Sequence, residues 1–405
     1  MLDDFGQRIR DIILSEMDLS RELSDEEICD LIGSVVSREA RDRPMTIKDR
    51  AELERTIFNS LRKLDVLQEL VDDRDVTEIM VNGPNNIFYE KAGRIQRFKG
   101  HFSSEEKLED VIQQIVGRHN RVVNQASPIV DTRLSDGSRV NIVLNPISIG
   151  GSAVSIRKFP EHPMSMERLV EIEALSPEVA RLLQILTQAK YNIFISGGTG
   201  SGKTTFLNAL SQYIPDDERI ITIEDSAELQ LLGAKNIVKL ETRNANTDGV
   251  TPITIRDLIR TALRMRPDRI IVGECRGAEA LDMLQAMNTG HDGSLSTGHA
   301  NSPHDIISRI ETMVLQGQDF PLNAIRQQIA SGIDIIVQLG RLRDKSRRVL
   351  EISEVDGFMD GEIVLHTLYR FEETAVLDSG RIQGFLKKEG TLCHTDKLMA
   401  AGLSV

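Results

Sequence analysis

The chain has 405 residues, of which 40% are hydrophobic and 27% charged, and 62 acidic residues against 49 basic ones give a net charge of −13. This length is enough for two or three domains with hydrophobic cores. The acidic balance argues against general nucleic-acid binding, which depends on a positive surface field. Three widely separated cysteines without a C-x-x-C pair argue against a disulfide framework and a zinc site, and favour a reducing cytosol.

The N-terminal region predicts amphipathic helices over residues 1–70. Phe5, Ile9, Ile12 and Ile13 form one apolar stripe at helical spacing. An interfacial membrane helix is the alternative interpretation, but the polar face is acidic where such helices are rich in Lys and Arg. We therefore expect this helix to pack within the protein or against a neighbouring subunit. No apolar run approaches the ~18 residues that cross a bilayer, and MLDDFGQ does not resemble a signal peptide, so any membrane association is expected to be peripheral.

A small α/β domain is predicted over residues 71–158. Period-2 patterns predict strands at VTEIMVN, NIFYEK, RIQRF, SRVNIVLN and AVSIRKF. Between them, Ser103 and Glu106 form a capping-box pattern before a helix. Pro160 and Pro163 predict a linker over residues 159–175, since proline disfavours helix at the preceding residue.

A second, larger domain is predicted over residues 176–405. It begins with Ser176-Pro177, an N-cap followed by proline at the first helical position. Helices then alternate with strands at NIFIS, ERIITIED, DRIIVGE and GSLSTGH, which favours a mainly parallel sheet with helices on both faces. Beyond residue 334 the pattern is strand-rich, and the last thirty residues carry too weak a pattern to assign. Ligands of such a sheet bind at the carboxyl ends of its strands.

The most specific signal is a phosphate-binding loop, G-x-x-x-x-G-K-[ST], between the strand NIFIS and an apolar helix. It consists of Gly197, Gly198, Thr199, Gly200, Ser201, Gly202, Lys203 and Thr204, followed by Thr205. The glycines allow backbone N–H groups to surround a polyphosphate at a helix N-terminus. Lys203 is expected to reach the β- and γ-phosphates, and the Thr204 hydroxyl to coordinate Mg²⁺. The loop therefore predicts a nucleoside triphosphate site with Mg²⁺ as the cofactor.

Candidate catalytic side chains follow the strands of the same domain. Glu224 and Glu274 each end an apolar strand, and either one is a candidate to activate the attacking water, while Glu274 is also a candidate Mg²⁺ ligand. Gly273 stands where an Asp commonly holds the metal. His299 follows a strand and is expected to sense the γ-phosphate; for His291 a functional and a structural role have equal weight. Zinc binding by the two histidines is a poor alternative.

Charge stabilisation of phosphoryl transfer often comes from arginines of another domain or subunit. Arg133 and Arg139 flank the Asp-Gly turn of DTRLSDGSRVN, and Arg157 lies on the last strand of the first domain. Surface arginines are usually solubilising, so these three remain candidates on spacing alone.

Taken in order, IFISGGTGSGKTT, ITIEDSAELQL, LRMRPDRIIVGECRGAEA and MNTGHDGSLSTGHANSP resemble the Walker A, Asp-box, Walker B and His-box motifs of the type II/type IV secretion ATPase superfamily. DTRLSDGSRVN and SIRKF are most similar to CpaF-type ATPases of tight-adherence (Tad) pili. The resemblance implies an α/β fold with a RecA-like P-loop domain, preceded by a smaller PAS-like domain and a helical segment. It places Arg133 and Arg139 at the phosphates, Arg157 at the nucleotide, and both histidines in the His box; a Gly at position 273 is typical of the superfamily.

The same resemblance implies a homo-oligomer, usually a hexamer, at the cytoplasmic face of the inner membrane. Its partner would be a polytopic platform protein, and hydrolysis would drive pilin extraction and filament assembly. Alternatives are a type IV secretion traffic ATPase that moves DNA or protein effectors, a motor that also retracts the pilus, and a scaffold that binds ATP without turnover. A nucleic-acid motor is disfavoured by the 4% aromatic content and the net acidity, so no stable nucleic-acid partner is expected.

Overall fold

The computed structural model describes residues 4–17, 20–21, 23–41, 45–91, 93–118, 122–159, 163–243 and 251–405. Contacts between residues divide the chain into two compact units, Met1–Glu161 and His162–Val405. Each unit has its own hydrophobic core, and each is described by itself. In the ranges given above, no helix is both long and apolar enough to cross a membrane.

The first unit begins with helices, as the sequence predicts. They are α1 (Asp4–Glu16), α2 (Asp25–Glu39), α3 (Ile47–Arg62) and the short α4 (Gln68–Asp72). Ser24 and Thr46 close capping boxes before α2 and α3, which satisfies amides that the first helical turn leaves unpaired. The predicted apolar stripes meet in a separate small core, where Ile9 and Ile28 are fully buried. The stripes therefore pack against each other within this unit.

The remainder of the first unit is an antiparallel sheet with one long helix. Its elements are β1 (Val76–Asn82), β2 (Ile87–Lys91), β3 (Arg94–Arg97), α5 (Glu105–Gly117), β4 (Ile129–Arg133), β5 (Arg139–Val143) and β6 (Ala153–Arg157). The strand order is β3-β2-β1-β6-β5-β4. Apolar residues of α5 and of alternate strand positions form the core. The other positions of β4, β5 and β6 therefore share the opposite face of the sheet.

The second unit is built on one large sheet flanked by helices. Its elements are α6 (Met166–Glu171), α7 (Pro177–Gln188), β7 (Ile193–Gly197), α8 (Lys203–Ser211), β8 (Arg219–Glu224), β9 (Asn236–Glu241), α9 (Ile255–Ala262), β10 (Arg269–Val272), α10 (Glu279–Asn288), β11 (Leu295–Gly298), α11 (Pro303–Gly317), α12 (Leu322–Gly332), β12 (Ile335–Arg341), β13 (Arg347–Met359), β14 (Glu362–Val376), β15 (Ile382–Lys388) and α13 (Asp396–Ala401). This unit has two hydrophobic cores, and both contain residues of β7, β10 and β12. Helices α7 and α8 contribute to the first core, and α9 to α12 contribute to the second. Helices on both faces were predicted from the strand–helix alternation.

The order of the strands places the phosphate-binding loop near the centre of the sheet. The order is β15-β14-β13-β12-β7-β11-β10-β8-β9. The six strands from β12 to β9 are parallel, and β13, β14 and β15 extend the sheet antiparallel. After β7 the chain first builds the side that contains β8, β10 and β11, and then crosses to β12 on the other side. This reversal is the topological switch point at which α/β sheets bind ligands.

Several predictions of elements need correction. The cap of α5 is Ser104, which accepts from the amide of Lys107, and not Ser103. The predicted linker holds α6, whose Met166 is buried in the core of the second unit, while residues 160–162 lie outside the described residues. Five regular segments were not predicted: β4, β9, α12, β15 and α13. β15 and α13 expose most of their side chains and β9 exposes half of its side chains, so their patterns are weak.

Candidate functional site

The loop between β7 and α8 has the conformation that its glycines predict. Gly200 and Gly202 have φ of 72° and 95°, in the left-handed region where a Cβ is unfavourable. Gly202 is also the N-cap of α8, so the helix starts at Lys203 with its amides toward the loop. The loop thereby presents a helix N-terminus and successive backbone N–H groups, the arrangement that binds phosphate.

Lys203 links this loop to the strand next to β7. The side chain is 8% exposed, and its Nζ donates to the carbonyl oxygens of Gly197 at 3.1 Å and Gly198 at 3.3 Å. The same Nζ lies 3.2 Å from Nδ1 of His299. Burial lowers the pKa of Lys203, and the Glu274 carboxylate opposes that shift. A buried ammonium held only by carbonyls and an imidazole is well suited to an anionic ligand.

His299 lies between Lys203 and Glu274. Its Nε2 is 2.7 Å from Oε1 of Glu274, on the opposite side of the ring from Lys203. Burial, followed by the Lys203 cation, lowers the pKa of His299, although Glu274 pulls it upward. The imidazole is therefore neutral at neutral pH, and the ammonium at Nδ1 places its proton on Nε2. This tautomer directs the ring proton at Glu274.

The two oxygens of Glu274 have different surroundings. Oε2 pairs with the guanidinium of Arg276, whose other nitrogen is 3.5 Å from Asp225. Oε1 is buried, and no described residue gives it a hydrogen bond of good geometry, since His299 is close but poorly aligned. One oxygen is thus fixed by Arg276, while the other faces the histidine and can accept a hydrogen bond from water.

Glu224 occupies a more closed environment than Glu274. It is 4% exposed, and its Oε1 accepts from the amides of Glu228 at 2.8 Å and Leu229 at 3.0 Å. Oε2 has no partner in the described part of the chain. Burial raises the pKa of Glu224 to about 7, against the opposing effect of the two amides. This carboxyl is therefore partly protonated at neutral pH. Its position is fixed by the segment that follows β8.

The glycine at position 273 has a steric explanation. A Cβ on Gly273 would lie 2.8 Å from Cγ of Glu224, closer than real Cβ contacts allow. The carbonyl of Gly273 also accepts from the Thr297 hydroxyl at 2.8 Å, which ties β10 to β11. An Asp at position 273 and the observed position of Glu224 exclude each other. The sequence departs from the usual motif because a neighbouring glutamate fills that space.

Mg²⁺ was predicted at Thr204 and Glu274. In the described ranges, no group of three or more His, Cys, Asp or Glu residues forms a metal cage. Mg²⁺ in nucleotide sites is held mostly by phosphate oxygens and water, with one or two protein oxygens. Thr204, the second residue of α8, and the unpaired buried Oε1 of Glu274 fit that limited role. The residues present therefore suit a metal that enters with a nucleotide.

His291 is not brought to this edge of the sheet within the unit. His291 precedes β11, and His299 follows that strand. β11 is parallel to β7, with Gly298 opposite Ser196. His291 therefore belongs with the amino ends of the strands, where its Nδ1 lies 3.3 Å from the carbonyl of Ala286. Its sequence-based assignment to catalysis remains a prediction that a second subunit would have to satisfy.

The three candidate arginines of the first unit form one row. Arg133 lies directly opposite Arg139 on the neighbouring strand, and Arg139 directly opposite Arg157. Residues in register share a face of the sheet, and like charges placed directly opposite each other repel. On its other side Arg157 is in register with Glu78. The row concentrates positive charge at one end of three strands, and it is well suited to an anion.

Two further cations at the phosphate-binding loop were missed by the sequence analysis. Arg276 is fixed to Glu274 as described, and Arg309 on α11 lines a cavity of ≈ 590 Å³ with Gly198, Thr199 and His299. Arg309 was detectable, because Asp305, Arg309 and Thr312 recur at helical spacing after the His299 motif. Arg276 carried no such signal, since an arginine two residues beyond a strand is ordinarily a surface residue.

The chain has clear relatives among known proteins. Residues 60–382 match the family model described as "Type II/IV secretion system protein". A putative conjugal transfer protein of Mycobacterium tuberculosis is 33% identical over 77% of this chain and 91% of its own length. The conjugal transfer protein TrbB of Rhizobium radiobacter is 31% identical over 81% and 98%. The type IV secretion system protein PtlH of Bordetella pertussis is 33% identical over 73% and 94%.

Solved structures share the fold at lower identity. The pilus retraction motor PilT with bound ADP matches 76% of this chain and 82% of its own, with a TM-score of 0.54 and 23% identity. The Legionella pneumophila ATPase DotB matches 72% and 80%, with a TM-score of 0.51 and 22% identity. These matches confirm the predicted α/β fold with its RecA-like domain.

The steric relation between Gly273 and Glu224 predicts a strong coupling. Gly273→Ala should lower the free energy of unfolding by about 1–3 kcal/mol, because the new methyl group overpacks against Cγ of Glu224. In a Glu224→Ala background the same substitution should cost much less. Denaturant unfolding of the four proteins of this double-mutant cycle measures the coupling. Equal costs in both backgrounds would show that the two side chains do not compete for space.

The contacts of Arg276 predict a change in the titration of His299. The Arg276 cation lowers the pKa of His299, so Arg276→Gln should raise it. NMR titration of the imidazole signals, in protein without nucleotide or divalent metal, measures the shift, and His299→Asn assigns the resonance among 8 histidines. Arg381→Gln is the control, because it removes a cation just before β15, at a distance from the site. A His299 pKa that stays the same or falls in Arg276→Gln would contradict the arrangement.

Proposed function

Because the chain belongs to the type II/IV secretion system protein family, we propose that it is an oligomeric ATPase motor that powers assembly of a Tad-type pilus. The enzyme hydrolyses ATP to ADP and phosphate. The observation that carries the proposal is the convergence of Lys203, His299 and Glu274 at the phosphate-binding loop, each from a different strand end. This set combines a phosphate-binding cation, a polar group for the γ-phosphate and a carboxylate for water.

The chemistry follows from what each side chain can do. Phosphoryl transfer to water requires positioning and charge stabilisation more than covalent catalysis. Lys203 exchanges its loop carbonyls for phosphate oxygens. Glu274 Oε1 accepts a hydrogen bond from the attacking water, and the water's proton leaves in that direction as the bond to ADP breaks. Thr204 would hold Mg²⁺, which supplies charge neutralisation at the phosphates.

Glu274 is the better candidate to activate water, and Glu224 the better candidate to position the site. The Oε1 of Glu274 is adjacent to His299, which itself contacts Lys203. Glu224 is committed through Oε1 to two backbone amides and through Cγ to the space beside Gly273. A pKa of about 7 suits Glu224 to act as a base, but its carboxyl is held by backbone amides, whereas Oε1 of Glu274 lies beside His299 and Lys203 at the phosphate-binding loop.

The row of Arg133, Arg139 and Arg157 supports an oligomeric machine. The three arginines are in register on one face of the sheet, so several guanidinium groups can reach a single anionic ligand. We assign Arg133 and Arg139 to the phosphates and Arg157 to the nucleotide, supplied by another domain or subunit. The assembly is a homo-oligomer, usually hexameric in this superfamily, and His291 would act only across a subunit boundary.

The Tad-type role is supported by DTRLSDGSRVN and SIRKF, which supply all three arginines of the row. In this role the motor is cytoplasmic and associates peripherally with the inner membrane. Its partner is a polytopic platform protein, and each hydrolysis cycle contributes to pilin extraction and polymerisation. No stable nucleic-acid partner is proposed, because the chain is acidic and poor in aromatic residues.

A second candidate is a traffic ATPase that moves DNA or protein effectors, or a motor that both extends and retracts a pilus. It is favoured by the relatives of M. tuberculosis and R. radiobacter, which are described as conjugal transfer proteins. Deletion of the gene distinguishes the two proposals. Loss of surface filaments supports the pilus motor, whereas intact filaments with loss of DNA or effector transfer support the traffic ATPase.

Two substitutions should separate binding from turnover. Lys203→Ala should weaken ATP binding by at least ~10-fold, because the phosphates lose a buried cation. Glu274→Gln should bind ATP as tightly as the unmodified chain yet lose roughly 10²–10³-fold in kcat, the scale for removing one preorganised polar group. Calorimetry and phosphate release measure the two effects, with Lys235→Ala as an exposed-lysine control. Normal phosphate release from Glu274→Gln would remove Glu274 from the catalytic role.

If Arg133 acts across a subunit boundary, inactive subunits should complement one another. Arg133→Ala and Lys203→Ala subunits impair opposite sides of a shared site. Mixing them before assembly should restore a fraction of the turnover, because some interfaces then pair an intact arginine with an intact lysine. Phosphate release over a series of mixing ratios measures this. Mixtures no more active than either parent would place Arg133 outside the shared site.

A further inference from the structure

The carboxylate proposed to activate water follows a glycine. β10 ends at Val272, and Glu274 lies two residues beyond that end. Gly273 stands between them because a Cβ at this position would lie 2.8 Å from Cγ of Glu224. Glycine has a far wider choice of backbone angles than other residues. Hydrogen bonds rather than side-chain packing must therefore hold the peptide that precedes Glu274.

Thr297, on the adjacent strand β11, bonds to the residues on both sides of Glu274. Its hydroxyl donates to the carbonyl oxygen of Gly273 at 2.8 Å. Its carbonyl oxygen accepts from the amide of Cys275 at 2.8 Å. From the side of β8, the Ile223 carbonyl accepts from the amide of Gly273 at 2.9 Å. A single residue of β11 thus holds both backbone neighbours of Glu274, and its side chain supplies the bond at the glycine.

The same residue lies two positions before His299, which contacts the side chain of Glu274. The pairing of β10 with β11 ends at Val272 and Ser296. Beyond that point the two bonds of Thr297 keep the strand ends together. They lie between the paired strands and the contact of His299 Nε2 with Glu274 Oε1, at 2.7 Å. The relative position of the ring and the carboxylate therefore depends on Thr297.

Thr222 shows what a threonine without this task looks like in the same sheet. It lies on β8, two residues before Glu224. Thr222 and Thr297 are both buried, with 0% and 1% of their surfaces exposed. In the part of the chain that the structure describes, the hydroxyl of Thr222 has no hydrogen-bond partner, whereas that of Thr297 is committed to Gly273. A β-branched shape suits either strand position, so it is the hydroxyl of Thr297 that needs a further explanation.

We propose that Thr297 is a positioning residue for ATP hydrolysis: its hydroxyl fixes the peptide between Gly273 and Glu274 and thereby aims the Glu274 carboxylate at the attacking water. This role rests on the proposed ATPase function. Thr297 acts through Glu274, since its own hydroxyl proton is already donated to a backbone carbonyl. Rotation of the peptide before Glu274 would displace the carboxylate, and a displacement of about 1 Å can cost up to roughly 100-fold in rate.

The experiment separates the hydroxyl of Thr297 from its shape. Thr297→Val removes the hydroxyl and keeps the β-branched shape, whereas Thr297→Ser keeps the hydroxyl. Thr222→Val is the matched control, because it removes an equally buried hydroxyl that has no hydrogen-bond partner in the described ranges. For the full chain, phosphate release over a range of ATP concentrations gives kcat and KM, and calorimetry with Mg²⁺ gives the dissociation constant of ADP. Thermal unfolding verifies that each variant is folded, and hydrogen–deuterium exchange of residues 273–277 reports on the peptide itself.

We expect Thr297→Val to lower kcat roughly 10-fold and to leave KM and the ADP dissociation constant within about 2-fold, because the phosphate-binding loop that holds the nucleotide is unchanged. Thr297→Ser should keep at least about half of the turnover, and Thr222→Val nearly all of it. Exchange at residues 273–277 should be several-fold faster in Thr297→Val than in the other proteins, because the peptide at the glycine loses its bond to β11.

Unchanged turnover in Thr297→Val overturns the proposal, and so does an equal loss in Thr297→Ser, because the hydroxyl would then not matter. A loss that Thr222→Val shares, or that comes with an equal loss of ADP affinity, also overturns it, because general loosening of the sheet would explain it. Unchanged exchange at residues 273–277 in Thr297→Val overturns the positioning role whether or not the chain turns over ATP. An unmodified chain that releases no phosphate contradicts the proposed function instead, and faster exchange in Thr297→Val would then still show that Thr297 holds this peptide.

Discussion

The burial of one ammonium group determines the arrangement of the catalytic edge. Lys203 starts α8 beneath the phosphate-binding loop, and its Nζ is held by two loop carbonyls and the ring of His299. A buried cation without a carboxylate in direct contact is costly. His299 is kept neutral by that cation and by burial, and its remaining ring proton points toward Glu274. The order lysine, imidazole, carboxylate therefore follows from electrostatics, and it joins β7, β11 and β10 at their carboxyl ends.

Packing at this edge of the sheet also explains why position 273 is a glycine and carries no carboxylate. Between Glu224 and Glu274 the space is filled, since the side chain of Glu224 packs where a residue larger than glycine at position 273 would lie. Glu224 is fixed by amides of the following segment and has a pKa of about 7 because it is buried. Glu274 pairs with Arg276 and keeps one oxygen unpaired. The two chemically identical side chains thus have different surroundings: backbone amides hold Glu224, and Arg276 pairs with Glu274.

Sequence reasoning predicted the parts of this site that depend on local pattern. The phosphate-binding loop, Glu274 and His299 were identifiable because each follows an apolar strand, and parallel strands align their carboxyl ends. The packing of Glu224 on Gly273 joins residues distant in sequence, so no spacing encodes it. His291 is close to His299 in sequence, but β11 separates the two within this unit, so its catalytic role stays a prediction.

The fold shows the same division between local and long-range information. Strongly amphipathic helices such as α7 and buried strands such as β8 were predicted within about two residues. α6 was assigned to a linker because six residues give little periodicity, and only the core of the second unit shows why Met166 and Leu169 are apolar. β4 was not predicted as a strand, because its segment was considered only as the source of a candidate arginine. Short elements take their structure from tertiary contacts, which override weak local preference.

Buried polar contacts support the amino ends of the strands, at the edge of the sheet opposite the phosphate-binding loop. Arg269 at the start of β10 is fully buried and pairs with Glu218, while its guanidinium also donates to the Thr187 carbonyl at 2.7 Å. Breaking such a pair would leave an uncompensated buried charge. The pair of Arg269 and Glu218 therefore fixes α7, β10 and the start of β8 relative to one another. Asn192, just before β7, donates through Nδ2 to the Gly332 carbonyl at 2.8 Å. These contacts fix the amino ends of the strands, whereas the phosphate-binding loop and the side chains around it lie at the carboxyl ends.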